Sequence, residues 1–280
     1  TGNCLDTNYQ CFNVDTSSQN SQIGLALDSS GGAWVATRNT TAGNLRVDYY
    51  TKGGGTSTSG VVTTNDVGSY ASIAMNSNGK PWIAYKSNTA GSLRLAYYVG
   101  SGGSCDSTDW QCVTVDSVAA NTGQDTSIAI SRSSSDAWVS YYDVTNTNLR
   151  VAGSNNPSGT ACTLASWECT TIDSTGDVGS YSKLALDNNS NPWIAYYDNT
   201  NNDLKVAQYV GAGAGTGCAS NYWTCTSVDT GGNVGGFTSI AMDPSGNPWV
   251  SYYDTTNLDL KVAQYVGSGG SGCASSAWTC

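Results

Sequence analysis

Histidine is absent from this sequence, and glutamate occurs once, as Glu168. Without an imidazole, Ser-His-Asp and Cys-His nucleophilic catalysis are excluded. Charged residues make up only 11% of the chain, less than half the usual share of about 25%. Lysine and arginine are so few that the net charge is −10, which argues against a nucleic-acid partner and against docking on anionic lipid. No apolar run approaches the roughly 20 residues that a membrane helix needs, so membrane insertion is not expected. The chain opens on Thr1 without an initiator methionine or a secretory leader, and reads as the start of a mature or trimmed chain.

Cysteine, by contrast, is abundant, and its ten residues fall into pairs of one spacing, Cys-x6-Cys. The pairs are Cys4/Cys11, Cys105/Cys112, Cys162/Cys169, Cys218/Cys225 and Cys273/Cys280. Zinc knuckles use tighter spacings and often histidine, so local disulfides are the expectation and no metal or cofactor is expected. Each small closed loop contributes roughly 2–3 kcal/mol on the chain-entropy estimate. Such stapling implies an oxidising compartment, and hence an extracellular or cell-surface protein.

The cysteine pairs belong to a longer repeat. Trp34, Trp82, Trp138, Trp193 and Trp249 mark one recurring position. Each sits in the second of three short β-type runs separated by Asp, Asn, Ser, Thr and Gly turns, as in Phe237–Asp243, Pro248–Asp254 and Leu260–Val266. A fourth run follows each cysteine pair, as in Trp110–Asp116, Trp167–Asp173 and Trp223–Asp229. No window supports an amphipathic helix. Four antiparallel strands repeated radially describe an all-β, five-bladed β-propeller with one local disulfide in most blades. The repeat units are 4–58, 59–104, 105–161, 162–217 and 218–272 of a single domain, and 273–280 is a surplus disulfide hairpin. The unit at 59–104 departs from the rest, since its outer run 60–66 lacks the cysteine pair.

Both ends carry an outer-strand copy. The N-terminal copy, Tyr9–Asp15, is expected to complete the last blade and close the ring within one molecule, which removes two sheet edges. The C-terminal copy, Cys273–Cys280, then competes for the same place. It either packs nearby as a closed hairpin, belongs to a longer repeat array, or docks into a neighbouring molecule.

The repeat Ser-Ile-Ala-Met-Asp-x-x-Gly-Asn-Pro-Trp-Val-Ser-Tyr-Tyr-Asp at 239–254, with Asp259–Ala263 after it, resembles repeats of secreted β-propeller proteins of bacteria and archaea. The resemblance covers essentially the whole chain and implies the fold and an extracellular location; it brings no established activity. The first hairpin, Asp243–Trp249, is similar to the sialidase Asp-box, with one extra residue between its landmarks. The Asp-box is a structural turn in that family, so no catalysis travels with it.

The chemistry left is sparse. A sialidase-like site wants clustered arginines beside a Tyr/Glu pair, whereas Arg38, Arg46, Arg94, Arg132 and Arg150 are scattered. Paired aspartates remain formally open for glycosidase chemistry, but the aspartates fall at turns and repeat positions, and the chain is not expected to be an enzyme. Turns such as Asp187–Asn191 lack the acid density of a calcium loop. Asn39 and Asn188 open glycosylation-acceptor triplets.

One basic position recurs in every unit, as Arg46, Arg94, Arg150, Lys205 and Lys261, and Asp143, Asp198 and Asp254 recur near it. These form either structural ion pairs at one blade rim or a ring of sites for a sugar or anion. Trp82, Trp138, Trp193 and Trp249 are expected as wedges between blades. Trp110, Trp167, Trp223 and Trp278, at the disulfide hairpins, are expected to be exposed and to contact glycans or a partner. The expected function is that of an extracellular structural or adhesive propeller, assembling into a surface filament through terminal strands or hairpins. The alternative is a multivalent lectin with repeated pockets, and a glycosidase-like enzyme ranks below both. Partners are then further copies of the chain or surface glycans.

Overall fold

The computed structural model describes residues 2–3, 10–11, 20–51 and 55–280. They form strands and turns without a helix, so nothing among them is a helix long and apolar enough to cross a membrane. Five antiparallel sheets, the blades, follow one another along the chain. The fourth, typical of the set, runs Val178–Leu186, Pro192–Asp198, Asp203–Tyr209 and Trp223–Asp229 from inner to outer edge. The third carries an extra outermost strand, Thr160–Ala161. Each outer strand pairs with the third strand of its sheet, which precedes it in the chain, so sheet boundaries fall after the outer strand and not before its cysteine pair.

A four-stranded sheet has two apolar faces here, and only neighbouring sheets can cover both. The second strands Ala137–Asp143 and Pro192–Asp198 are accordingly buried at every position. Apolar clusters lie between successive blades: Leu93 and Leu95 of the second pack with Ile128 and Val139 of the third, and Leu149 and Val151 of the third with Leu184 and Ile194 of the fourth. The first-hairpin turns are closed by their own aspartates. Asp187 Oδ1 accepts the N–H groups of Asn189 and Asn191 at 2.8 and 2.9 Å, and Asp243 does the same for Ser245 and Asn247, the hydrogen bonding typical of Asx turns.

The disulfides Cys105–Cys112, Cys162–Cys169, Cys218–Cys225 and Cys273–Cys280 are formed. Cys4 of the remaining pair lies outside the described residues, as does most of Tyr9–Asp15. Gln10–Cys11 pairs only with Gly2–Asn3 among the described strands.

Ring closure by the N-terminal strand is corrected by the structure. The outer position of the last blade is taken by the C-terminal copy, with Trp278 opposite Tyr265 and Thr279 opposite Gln264. Among the described residues, the faces that a closed ring would bury are uncovered. Leu260 of the last blade is 79% exposed, whereas its counterparts Leu45, Leu93, Leu149 and Leu204 are fully buried. On the first blade, Ile23, Leu25 and Leu27 are exposed, whereas Ile73, Ile128 and Leu184 at the Leu25 position are buried.

A steric reason is visible in the repeat. Each following blade seats a left-handed glycine on that leucine: Gly68 on Leu45, Gly123 on Leu93, Gly179 on Leu149, Gly235 on Leu204. A Cβ at Gly235 would stand 2.8 Å from the Leu204 Cα, so no side chain fits there. The first blade has Asn20 at this place, and Ile23 where the others carry Ala71, Thr126, Ser182 and Thr238.

Candidate functional site

The recurring basic residues do not form a solvent-facing ring; they reach across blade interfaces. Lys205 Nζ of the fourth blade lies 2.5 Å from Asp173 Oδ2 on the outer strand of the third, and the Tyr196 hydroxyl donates to the same oxygen at 2.7 Å. Arg150 and Tyr141 address Asp116 in the same way, at 2.7 and 2.6 Å, and Lys261 and Tyr252 address Asp229. Asp143, Asp198 and Asp254 close the turn behind, accepting Asn146, Asn201 and Asn257. The third partner, on the neighbouring outer strand, is what the sequence reading missed.

The first two blades depart from this scheme. Arg46 pairs with Asp48 of its own strand at 2.8 Å. Arg94 faces an outer strand with Val62 where the acid stands elsewhere, and its Nε is buried without a hydrogen-bond partner among the described residues.

Burial alone would raise the Asp229 carboxyl, but the hydrogen bonds from Lys261 and Tyr252 override it and hold it below its ordinary value. Asp66, mainly through Arg38, and Asp106, mainly through the Thr63 N–H, shift the same way. A carboxyl depressed in the folded state stabilises above its unfolded value, about 4, and loses that contribution as pH falls through the folded value. Asp125 and Asp203, raised chiefly by burial, offset part of this. The melting temperature is therefore expected to fall by several degrees on acidification below about pH 4. Calorimetry checks this, and a melting temperature that rises there contradicts it.

The tryptophans also go inward. Trp110, Trp167, Trp223 and Trp278 are all buried, so the expectation that they are exposed contact residues is corrected. Each hairpin folds its indole back onto the preceding blade, giving the edge-on pairs Trp34–Trp110, Trp138–Trp223 and Trp193–Trp278. Trp167 shares a cluster with Trp82. Both sets are therefore halves of one inter-blade wedge, large apolar surfaces in a geometry aromatic pairs favour. Trp249 has no following blade and is 42% exposed.

The inner strands of all five blades line one cavity of about 450 Å³. Each has a bulge there, and at the bulge Tyr70, Asp125, Tyr181 and Phe237 adopt left-handed backbone conformations, with φ of 56°, 52°, 55° and 53°. Bulges re-aim side chains, and non-glycine residues held in this region are strained. The blade interfaces hold the strain in place: Thr126, Ser182 and Thr238 hydroxyls donate to the carbonyls of Tyr70, Asp125 and Tyr181.

Asp125 and Lys183 of this lining, and Lys86 outside it, break the repeat. Asp125 stands where Tyr70, Tyr181 and Phe237 are aromatic, Lys183 where Ser72, Ser127 and Ser239 are serine, and Lys86 where Tyr142, Tyr197 and Tyr253 are tyrosine. The Asp125 carboxylate accepts the Tyr181 N–H at 2.8 Å. Burial raises this carboxyl and lowers both ammonium groups, while the attraction between Asp125 and each lysine opposes the shifts. Sequence reasoning missed this group, although each member is visible as a departure from its repeat position.

No protein-family model matches the chain, and no curated protein matches it in sequence. Solved structures share its fold. AofleA from Arthrobotrys oligospora matches at 10% identity, covering 92% of this chain and 70% of its own, with a TM-score of 0.55. The SapL1 lectin, in complex with alpha methyl fucoside, matches at 15% identity over 92% of this chain and 78% of its own, with a TM-score of 0.50. A puromycin hydrolase matches at 10% identity and a TM-score of 0.52; 90% of this chain covers 40% of that one. The chain thus spans about two fifths of the hydrolase's length. The last match corrects the expectation that the chain is not an enzyme, because the scaffold it adopts is one that a hydrolase also uses, and the missing histidine excludes imidazole-dependent chemistry alone. At these identities the likeness establishes a fold: the chain is an all-β propeller of five four-stranded blades, similar in architecture to a lectin and to a hydrolase.

Proposed function

We propose that the protein is an extracellular structural or adhesive propeller that associates with further copies of itself through the open faces of its terminal blades. The observation that carries this reading is the contrast between Leu260, 79% exposed, and Leu204, fully buried at the same repeat position. Trp249 and Val262 extend that face, and Ile23, Leu25 and Leu27 form the other. Contiguous exposed apolar surface of this kind marks interaction sites. The occupant we assign is a second copy of the chain. The last blade presents the residues that bury the next blade at four internal interfaces, so surface from the same repeat complements it. Four disulfides fit an oxidising, extracellular setting, and the repeat resembles those of secreted prokaryotic propellers.

Sedimentation velocity tests the reading. The mean mass of the wild-type chain is expected to rise with concentration, and Leu260→Asp is expected to stay monomeric with an unchanged melting temperature. A wild-type chain that is monomeric throughout overturns it. So does a Leu260→Asp variant whose melting temperature collapses, since the face is then covered within the molecule, for example by residues 1–19.

Carbohydrate binding is the second reading, favoured by the roomy, aromatic-walled central cavity and by a lectin among the proteins of similar fold.

A further inference from the structure

We propose that the central cavity binds one acidic sugar unit, a pyranose bearing a carboxylate, between Asp125 and Lys183 and the aromatic walls of Tyr181 and Phe237. This rests on the carbohydrate reading above and is independent of the terminal faces. Lys86, outside the lining, adds its positive charge through its attraction to Asp125.

The lysines have a structural cost that the fold alone does not explain. At the two equivalent interfaces before it, the serine hydroxyl accepts a backbone N–H from the next blade, Ser72 from Ile128 at 3.2 Å and Ser127 from Leu184 at 3.0 Å. Lys183 has no acceptor and forfeits that bond. Lys86 is 8% exposed, yet its ammonium makes no ion pair or hydrogen bond among the described residues, whereas Tyr142 and Tyr197 at its position donate to Asp177 and to Asn202 and Asn233. A largely enclosed lysine that makes no ion pair is costly, and such residues concentrate where a ligand completes them.

The chemistry of the group defines the ligand. Two ammonium groups stand against one carboxyl, leaving an excess of one positive charge for an anion. The Asp125 carboxylate is an acceptor for sugar hydroxyls. Tyr181 and Phe237 stand with ring centroids 4.6 Å apart, offering flat apolar faces for the C–H side of a pyranose. The cavity, about 450 Å³, is in the range of small-molecule sites.

Isothermal titration of the full chain with glucuronic acid, glucose and acetate tests this. Glucuronic acid is expected to bind at least tenfold more tightly than either of the others. Lys183→Ser and Asp125→Tyr restore residues that other blades carry at these positions, so both variants are expected to fold. Lys183→Ser is expected to weaken glucuronate binding at least tenfold with the melting temperature unchanged, and Asp125→Tyr to abolish it. Glucose binding as tightly as glucuronate leaves carbohydrate binding standing and overturns the acidic class. Acetate binding as tightly overturns the need for a sugar ring. Absence of binding by all three overturns both readings, and an unaltered affinity in Lys183→Ser overturns the site.

Discussion

Asp173→Ala is expected to lower the unfolding free energy by about 3–5 kcal/mol, the cost of removing one partner from a buried ion pair. Its Oδ2 receives both the Lys205 ammonium and the Tyr196 hydroxyl. Asp173 and Tyr196 are fully buried and Lys205 is 8% exposed. Truncation therefore leaves a buried hydroxyl unpaired and a nearly enclosed cation with only Asp198, 3.9 Å away, as an acid partner. Tyr196→Phe removes one hydrogen bond and is expected to cost about 1–2 kcal/mol. Replacing all three residues together by apolar ones is expected to be far milder than Asp173→Ala, because nothing polar is then left unpaired. Urea unfolding measures each variant. A loss below about 1 kcal/mol for Asp173→Ala means that Lys205 escapes to solvent, and the cross-blade assignment fails.

The second large effect compares one residue type at two copies of the same position. Leu204→Ala is expected to cost about 2–5 kcal/mol, because the side chain is enclosed between the fourth and fifth blades and its removal leaves a cavity. Leu260→Ala is expected to stay within about 0.5 kcal/mol for the isolated molecule, since most of that side chain already meets water. Equal losses at the two positions, measured under conditions where the chain is monomeric, contradict an open terminal face. A loss at Leu260 that emerges only as concentration rises fits an interface between copies.

Much of the fold was legible because the repeat is written in local chemistry. Strand alternation, Asp-led turns such as Asp187–Asn191 and the evenly spaced cysteines depend on neighbours a few residues away, and four of the five cysteine pairs are seen joined. The hairpin tryptophans were misplaced for the complementary reason. Trp223 lies beside a turn and a disulfide in sequence, which reads as surface, yet its partner is Trp138 of the preceding blade. Asp116 looked like a strand-terminal turn residue until Tyr141 and Arg150 were found on it from the next sheet. Lys86, Asp125 and Lys183 were detectable singly as breaks in the repeat, but nothing local says that three strands from three blades bring them together.

By itself, then, the sequence determined the strands, the turns, the cystine clips and the number of blades, all of which follow from contacts made within one repeat. Whether the ring closes, which residues become buried ion-pair partners, and which charges meet at the axis were decided only by the tertiary structure. Those outcomes depend on how one blade seats on the next, as Gly235 seats on Leu204, and the alternation within a single strand does not encode that seating.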